Sequence, residues 1–268
     1  MDNRPIGVFD SGLGGLTVVK EIIRQLPNES IIYFGDDGRT PYGTKSRETV
    51  IKYTKQDLAF LLSMDVKLVV VACNTVSALA LPELRSAINV PVLEVIKPGA
   101  KSALKKTKQG RIGIIATPAT TQSGVYPDAI KSMDPNVQIF SKACPLFVNL
   151  VEEGWWNNEI TRMVAKEYLT DLKQKQIDTL VLGCTHYPLL ADTIGDVMGE
   201  GVVLVSSAEE LSVTLKELLR KENLESQNES ATYRYYTSDS VEKFKKLGEM
   251  ILGKEILNIE RVDMENYE

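Results

Sequence analysis

The chain has 268 residues, of which 43% are hydrophobic and 25% are charged, a composition typical of a globular protein with one large domain or two smaller ones. Its formal net charge is −5, which argues against nucleic acid or an anionic membrane surface as a partner. Three cysteines cannot form a disulfide framework, and a single histidine excludes metal sites built from several histidines.

The beginning of the chain shows no signal-peptide pattern. Its longest apolar runs are far shorter than a bilayer-spanning helix requires. We therefore expect a soluble cytoplasmic protein with reduced thiols and no membrane partner.

Short β-branched runs alternate with helical patterns along most of the chain, which indicates βαβ units and a mostly parallel sheet. The predicted strands are continuous apolar runs at residues 6–9, 31–34, 68–72, 92–95, 111–116, 137–140, 179–182 and 202–205. Apolar residues at helical spacing occur at 16–26 and 50–62. A polar, linker-like segment at 222–231 precedes a final amphipathic helix at 241–252.

A weak internal repeat divides this pattern into two similar halves. The strand at 6–9 and its following turn recur in outline at 112–118, and the strand at 68–72 with Cys73 behind it recurs at 179–184. The sequence therefore predicts an α/β protein of two similar open parallel-sheet units, which face each other across a cleft and are related by a pseudo-twofold. Ligands of open α/β sheets bind at the carboxyl ends of the strands, where both halves have a cysteine.

Cys73 and Cys184 each follow a buried strand and precede polar residues that can bind a ligand but add nothing to a core. These polar residues are Asn74 and Thr75 in the first half and Thr185 and His186 in the second. A lone free cysteine is usually a small core residue, but two at equivalent strand ends favour a functional pair. Cys144 lacks this setting, and we expect it to lie in the core.

Two free thiols across one cleft suggest three chemistries. A disulfide couple commonly uses a Cys-x-x-Cys spacing, which the sequence lacks. A zinc site would need ligands from all three cysteines and His186, without a Cys-x-x-Cys knuckle or a second histidine. Paired acid–base work requires one thiol to remove a proton from carbon and the other to return one to the opposite face. The cysteines therefore favour racemisation or epimerisation.

The Gly-rich segment 10–15 ends the first strand and begins the first helix. It does not match a dinucleotide-binding fingerprint and instead predicts a tight turn whose backbone N–H groups, with Ser11, bind a carboxylate. Asp10 has two open interpretations, as a helix N-cap or as a group that orients Cys73 or a substrate ammonium.

Two further sequence features carry polar groups suited to an anionic ligand. Pro41, Tyr42 and Gly43 form a loop that offers backbone amides and a phenol to an anion. His186, two residues after Cys184, is positioned to activate that thiol or to hold a carboxylate.

Four motifs together resemble the glutamate racemase family. They are Asp-Ser-Gly-Leu-Gly-Gly at 10–15, Pro-Tyr-Gly at 41–43, Ala-Cys-Asn-Thr at 72–75 and Leu-Gly-Cys-Thr-His-Tyr-Pro-Leu at 182–189. They occur in the family's order and spacing, and the resemblance covers essentially the full chain. It implies a racemase without cofactor or metal that interconverts L- and D-glutamate and supplies D-glutamate for peptidoglycan.

The resemblance also implies a role for each site residue. The thiol of Cys73 acts on D-glutamate, and the thiol of Cys184 acts on L-glutamate. Residues implied to bind substrate or support the thiols are Asp10, Ser11, Pro41, Tyr42, Gly43, Asn74, Thr75, Thr117, Thr121, Thr185 and His186. A supporting carboxylate falls at Glu152, with Glu153 as the alternative.

The family fold has two α/β domains, and its C-terminal segment returns to the first. This predicts one domain of residues 1–96 plus 210–268 and another of residues 97–209. Dimers occur in the family, so a homodimer is also an expectation. The residues themselves leave three alternatives open: a racemase of aspartate or another acidic amino acid, a non-catalytic amino-acid-binding protein, and a hydrolase or transferase with a thiol nucleophile.

Overall fold

A computed structural model describes residues 1–267 of the chain. Its strands are β1 (Ile6–Asp10), β2 (Ile31–Gly35), β3 (Leu68–Val71), β4 (Val92–Glu94), β5 (Arg111–Ala116), β6 (Gln138–Ala143), β7 (Thr179–Gly183), β8 (Val203–Val205), β9 (Tyr233–Thr237) and β10 (Ile259–Arg261). Its α-helices are α1 (Leu16–Gln25), α2 (Arg47–Ser63), α3 (Asn74–Leu79), α4 (Leu81–Leu84), α5 (Ile96–Lys106), α6 (Pro118–Ser123), α7 (Val125–Met133), α8 (Leu146–Glu152), α9 (Glu159–Gln174), α10 (Ala191–Met198), α11 (Ser207–Lys221) and α12 (Val241–Leu252).

The strands form two parallel sheets with related topology. The first sheet has the order β10-β9-β2-β1-β3-β4, and the second has the order β6-β5-β7-β8. Every strand pair in both sheets is parallel. When β1 to β4 are matched with β5 to β8, the order β2-β1-β3-β4 is repeated in the second sheet. This confirms the predicted fold class of two similar parallel-sheet α/β units.

The predicted strands all occur, and their ends differ by a few residues. The largest difference is at β6, which was expected at 137–140 but pairs with β5 as far as Ala143, through a polar stretch that breaks the apolar run. Strands β9 and β10 were not among the predicted strands. Strand β10 is a three-residue edge strand with only one apolar side chain. The helix expected at 241–252 is α12.

A shared core joins the two sheets. Strands β1, β3 and β7 are buried along their whole length, as the continuous apolar runs predicted. Helix α11 packs against both α1 and α5, and α5 packs against α7. One apolar cluster includes Val8 and Val70 of the first sheet together with Ile112 and Val181 of the second. Each fully buried aliphatic side chain stabilises the folded state by about 1.5–3 kcal/mol, so this cluster holds the two sets of strand ends towards each other.

The strands of the first sheet come from residues 6–94 and 233–261, and those of the second come from residues 111–205. The C-terminal strands β9 and β10 therefore extend the first sheet beyond β2. The domain limits given above stay predictions. Within residues 1–267, no helix combines the length and the apolar character needed to cross a membrane.

The linker-like segment at 222–231 is held by a buried ion pair. Lys67 Nζ lies 2.6 Å from Glu29 Oε2 and donates a hydrogen bond of 2.6 Å to the carbonyl of Leu224. Glu29 Oε1 accepts a 2.9 Å hydrogen bond from the backbone N–H of Ser226. These contacts fix the path by which the chain returns from α11 to β9.

Candidate active site

A small cavity lies between the carboxyl ends of the two sheets. It is lined by Ser11, Pro41, Tyr42, Gly43, Cys73, Asn74, Thr75, Thr117, Val148, Cys184, Thr185 and His186. Cys73 lies two residues beyond β3, and Cys184 directly follows β7, the equivalent strand of the second sheet. The two thiols therefore reach one cavity from equivalent positions, which is the arrangement that the internal repeat predicted.

The two halves of the molecule are closed around this cavity. Its volume of about 10 Å³ is roughly the space that one water molecule needs. Contacts between the halves include the hydrogen bond from Thr17 Oγ1 to the carbonyl of Thr185, at 3.2 Å. A ligand with several heavy atoms therefore needs the halves to separate before it can enter.

Cys73 has the surroundings of a neutral thiol. Its side chain is buried, and Sγ donates a 3.5 Å hydrogen bond to Ser11 Oγ. Burial, together with the nearby carboxylate of Asp10, raises the pKa of Cys73 to about 12. The proton therefore stays on this sulfur at neutral pH.

Cys184 lies beside a buried ion pair. Its Sγ is 3.7 Å from His186 Nδ1, and His186 Nε2 is 2.7 Å from Glu152 Oε1. Burial lowers the pKa of His186, but its hydrogen bonds to Cys184 and Glu152 outweigh burial and raise this pKa well above its ordinary value. Burial raises the pKa of Glu152, and the hydrogen bond from His186 reverses this, so that the pKa is lowered overall. The pair is therefore an imidazolium and a carboxylate.

The charged imidazole has a donor for each neighbour. Nε2–H donates to the carboxylate of Glu152, so Nδ1–H faces the sulfur of Cys184. A thiolate at Cys184 would accept this second hydrogen bond. The surroundings of the two cysteines therefore differ in charge, although their backbone positions are equivalent.

Asp10 is not the N-cap of α1, because Gly15 occupies that position, and its role in orienting Cys73 or a substrate ammonium stays a prediction. Its Oδ2 accepts a 3.0 Å hydrogen bond from the backbone N–H of Gly15 at the start of α1, and its carboxylate accepts another from Thr185 Oγ1, at 3.2 Å. Burial raises the pKa of Asp10, which the positive charge of His186 partly offsets. Asp10 lies behind the cavity, between the Gly-rich turn and the second half of the site.

The choice between Glu152 and Glu153 is decided by helix α8. Glu152 is buried on its inner face, where it binds His186 and accepts a 3.3 Å hydrogen bond from the backbone N–H of Leu13. Glu153 is exposed, and its nearest cation is Lys243 at 3.5 Å. Glu152 is thus the carboxylate with access to the site.

Tyr42 lies at the cavity, but its phenol is directed elsewhere. The hydroxyl donates to the buried carboxylates of Asp36 and, at 3.0 Å, Asp57. The expectation that this phenol is offered to an anion was wrong, because these two carboxylates come from other segments that only the fold brings together. Tyr42 still borders the cavity beside Pro41 and Gly43.

The threonines expected at the site are divided between the two halves. Thr75 Oγ1 lies 3.0 Å from Thr117 Oγ1 and 3.3 Å from Thr120 Oγ1, and Thr117 lines the cavity. Thr121 is not among the lining residues. Its hydroxyl is buried without a hydrogen-bond partner among the residues that the structure describes.

Two loops meet at the site without space between them. A Cβ atom added at Gly14 would lie 2.5 Å from both His186 Nδ1 and Thr185 Oγ1. Only a residue without a side chain fits here, so the Gly-rich turn of the first half supports the imidazole of the second half.

The sequence analysis did not identify one of the residues that line the cavity. It did predict the position of the third cysteine, outside the site. Val148 on α8 borders the cavity, but an aliphatic residue on an amphipathic helix gives no signal of this position. Cys144 is fully buried in the core of the second half, as predicted.

Comparison with known proteins identifies the family of the chain. The model of the Asp/Glu/Hydantoin racemase family matches residues 6–213. The chain belongs to this family. A family member from Geobacter metallireducens, named glutamate racemase, is 49% identical over 263 residues, which cover 98% of this chain and 97% of that protein.

Solved structures of family members have the same fold. A glutamate racemase isoform from Bacillus anthracis superposes with a TM-score of 0.94 at 42% identity, and the match covers 98% of each chain. The glutamate racemase of Francisella tularensis, crystallised in complex with D-glutamate, has a TM-score of 0.92 at 43% identity over 100% of each chain. The resemblance drawn from the four motifs is therefore confirmed, as is the fold class.

Proposed function

We propose that this protein is a glutamate racemase that interconverts L- and D-glutamate with two thiols and no cofactor, and that it supplies D-glutamate for peptidoglycan. The names of its close relatives support the substrate, as does the relative crystallised with D-glutamate. The observation that carries the mechanism is the presence of Cys73 and Cys184 in one cavity, each from the same position of a related sheet.

For L-glutamate, Cys184 acts as the base. The Cys184 sulfur, reacting as a thiolate that accepts a hydrogen bond from His186 Nδ1–H, takes the proton from Cα while the electron pair of the C–H bond stays on carbon. Cys73, whose raised pKa keeps it protonated, then gives its proton to the opposite face of that carbon. The cycle leaves a thiol at Cys184 and a thiolate at Cys73, and D-glutamate follows the same path in reverse.

Neutral donors stabilise the charge that develops on the substrate. Ser11, Asn74, Thr75 and the backbone of Gly43 line the cavity and supply hydroxyl, amide and N–H donors for the carboxylates. The closed halves exclude bulk water, so these hydrogen bonds act in a medium of low dielectric constant. The strengthened hydrogen bonds stabilise the carbanion and so compensate for the weak acidity of Cα–H relative to a thiol.

Incubation with L-glutamate in deuterium oxide tests this function. We expect the circular dichroism of the substrate to decay to zero while deuterium enters at Cα. Binding of glutamate without exchange would instead indicate a non-catalytic binding protein. Faster racemisation of L-aspartate would indicate a different acidic substrate, and a covalent adduct on one cysteine would indicate a thiol nucleophile.

Two expectations about the protein in the cell accompany this proposal. We propose that the protein works in the cytoplasm, where its thiols stay reduced. We also propose that it forms a homodimer, which sedimentation at several concentrations would test. A single species with the mass of one chain at all concentrations would contradict the dimer.

A further inference from the structure

The side-chain amide of Asn74 has a hydrogen-bond partner at its oxygen and none at its nitrogen among the residues that the structure describes. Its side chain lines the cavity and is 3% exposed. Oδ1 accepts a 2.7 Å hydrogen bond from the hydroxyl of Tyr126, whereas Nδ2 is buried without a partner among residues 1–267. A buried N–H group without a partner is costly, so this group is suited to a ligand acceptor in the cavity.

The phenol of Tyr126 determines which way the amide faces. The Tyr126 side chain is buried, and Asn74 Oδ1 is the acceptor that its O–H reaches. An amide turned by half a rotation would place Nδ2 against the phenol and direct the carbonyl oxygen into the cavity. That orientation would present an acceptor to an anionic substrate, which has only acceptors on its carboxylates.

The ring of Tyr126 is held without help from its hydroxyl. It lies between Gly99 on α5 and Gly183 on β7, where a Cβ atom at either glycine would come within 3.0 Å of the phenol. The ring also belongs to the apolar cluster that joins the two sheets. Phenylalanine at this position would therefore keep the same packing and lose only the hydrogen bond.

We propose that Tyr126 is a positioning residue that acts through Asn74, fixing the amide so that Nδ2 donates to a carboxylate oxygen of the substrate. The proposal rests on glutamate as the substrate. Asn74 begins helix α3 in the first half, whereas Tyr126 lies on α7 in the second, so the hydrogen bond links the two halves. The amide is therefore oriented for binding when the halves close.

The variant Tyr126→Phe tests the proposal. In this variant, the binding orientation leaves Oδ1 buried without a donor, a cost equivalent to about a 10-fold loss of affinity. We expect the KM for L- and D-glutamate to rise about 10-fold and kcat to change less than about 3-fold, because the lost contact acts equally in the ground and transition states. Tyr235→Phe is the matched control, since its hydroxyl is also buried but lies outside the cavity lining.

A double-mutant cycle shows whether Tyr126 acts through Asn74. We expect Asn74→Ala alone to raise KM at least as much as Tyr126→Phe. In the Asn74→Ala background, Tyr126→Phe should change KM less than about 2-fold, because no amide remains to be oriented. A KM for Tyr126→Phe like that of the wild type would overturn the proposal, as would an equal rise in both backgrounds or the same rise in Tyr235→Phe.

Calorimetric titration with glutamate separates this proposal from the proposed function. Racemisation converts one enantiomer into the other without heat, so the measured heat reports binding alone. A wild-type protein that binds glutamate without turnover would refute the racemase, while Kd values of the variants would still test Tyr126. A wild-type racemase whose Kd is unaffected by Tyr126→Phe would refute only the positioning role.

Discussion

The two thiols have equivalent backbone positions but different neighbours. Cys73 shares its surroundings with a serine hydroxyl and a buried carboxylate, whereas Cys184 is next to an imidazolium. Electrostatics therefore assigns the resting proton to Cys73. The roles that the family resemblance implied, with Cys184 acting on L-glutamate and Cys73 on D-glutamate, stay predictions.

Removing either thiol should stop the reaction. We expect Cys73→Ala and Cys184→Ala each to lower kcat about 1,000-fold or more, because each loses the proton transfer on one face. Cys144→Ala is the control, since Cys144 is fully buried in the core and does not line the cavity. The assay is circular dichroism in both directions, and racemisation by either alanine variant at the wild-type rate would contradict the two-thiol mechanism.

Glu152→Gln should make Cys184 a less effective catalyst, because Glu152 acts on this thiol through His186. Without the carboxylate the pKa of His186 falls, so the imidazole loses its second proton at a lower pH and no longer places a positive charge beside the sulfur. We expect kcat for L-glutamate to fall about 10-fold, and the loss to grow as pH rises. Glu153→Gln is the matched control, and an equal loss in both variants would contradict this role for Glu152.

The stability lost in Glu152→Gln should depend on pH. The raised pKa of His186 gives stability that is complete below about pH 6.5 and is lost as pH rises through the folded value. The lowered pKa of Glu152 gives stability present above about pH 4.3 and lost as pH falls. The free energy of unfolding of the wild type should exceed that of Glu152→Gln by about 1–3 kcal/mol near pH 5.5, and by less at higher pH. Urea denaturation would measure this, and a difference that grows at alkaline pH would contradict it.

At the scale of single residues, sequence predicted what depends on local order. Cys73 and Cys184 could be found because each follows a strand, and strand ends are visible in the sequence. The partners of the Tyr42 phenol and of Asn74 could not be found, because Asp57 and Tyr126 lie on other helices and meet these groups only after folding.

The elements that form the site are turns at strand ends, and their close contact limits the residues they tolerate. We expect Gly14→Ala to lower kcat about 100-fold, because its Cβ would displace His186 from Cys184. Gly201→Ala is the matched control, since nothing lies within 4 Å of a Cβ atom there. Activity assays with thermal melts would separate displacement from unfolding, and a fully active Gly14→Ala would contradict the contact.

At the scale of elements, sequence predicted the strands that form continuous apolar runs and missed the two C-terminal strands, β9 and β10. Strands β1, β3 and β7 are covered on both faces, so their residues are almost all apolar and stand out. Strand β10 is held by its hydrogen bonds to β9 at the edge of the sheet, and its sequence gives no such signal.

The whole molecule must open for its substrate to enter, because the cavity holds about 10 Å³. Alkylation with iodoacetamide, followed peptide by peptide with mass spectrometry, would report this opening. We expect Cys184 and Cys73 to be labelled, saturating glutamate to protect both, and Cys144 to react most slowly because it is fully buried. Turnover without any labelling of the two cavity cysteines would contradict opening.

The division of the molecule into two similar sheets was predicted from the repeat, but the strand order and the helix packing that joins the halves were not. The repeat predicted two similar sheets, because matching strands follow one another in the same order in both halves of the chain. The shared cluster built around α1, α5 and α11 arises from helix faces whose partners lie in the other half. Periodicity shows that such faces are apolar without showing what covers them.

Thermodynamics limits how much the unlike surroundings of the two sulfur atoms can favour one direction of the reaction. Mirror-image amino acids have the same free energy in water, so at equilibrium both are present in equal amounts whatever the enzyme does. The ratio kcat/KM must then be identical for the two enantiomers. A pocket whose two sulfur atoms have different neighbours can make one direction faster at saturation only if the KM for that enantiomer is higher in the same proportion.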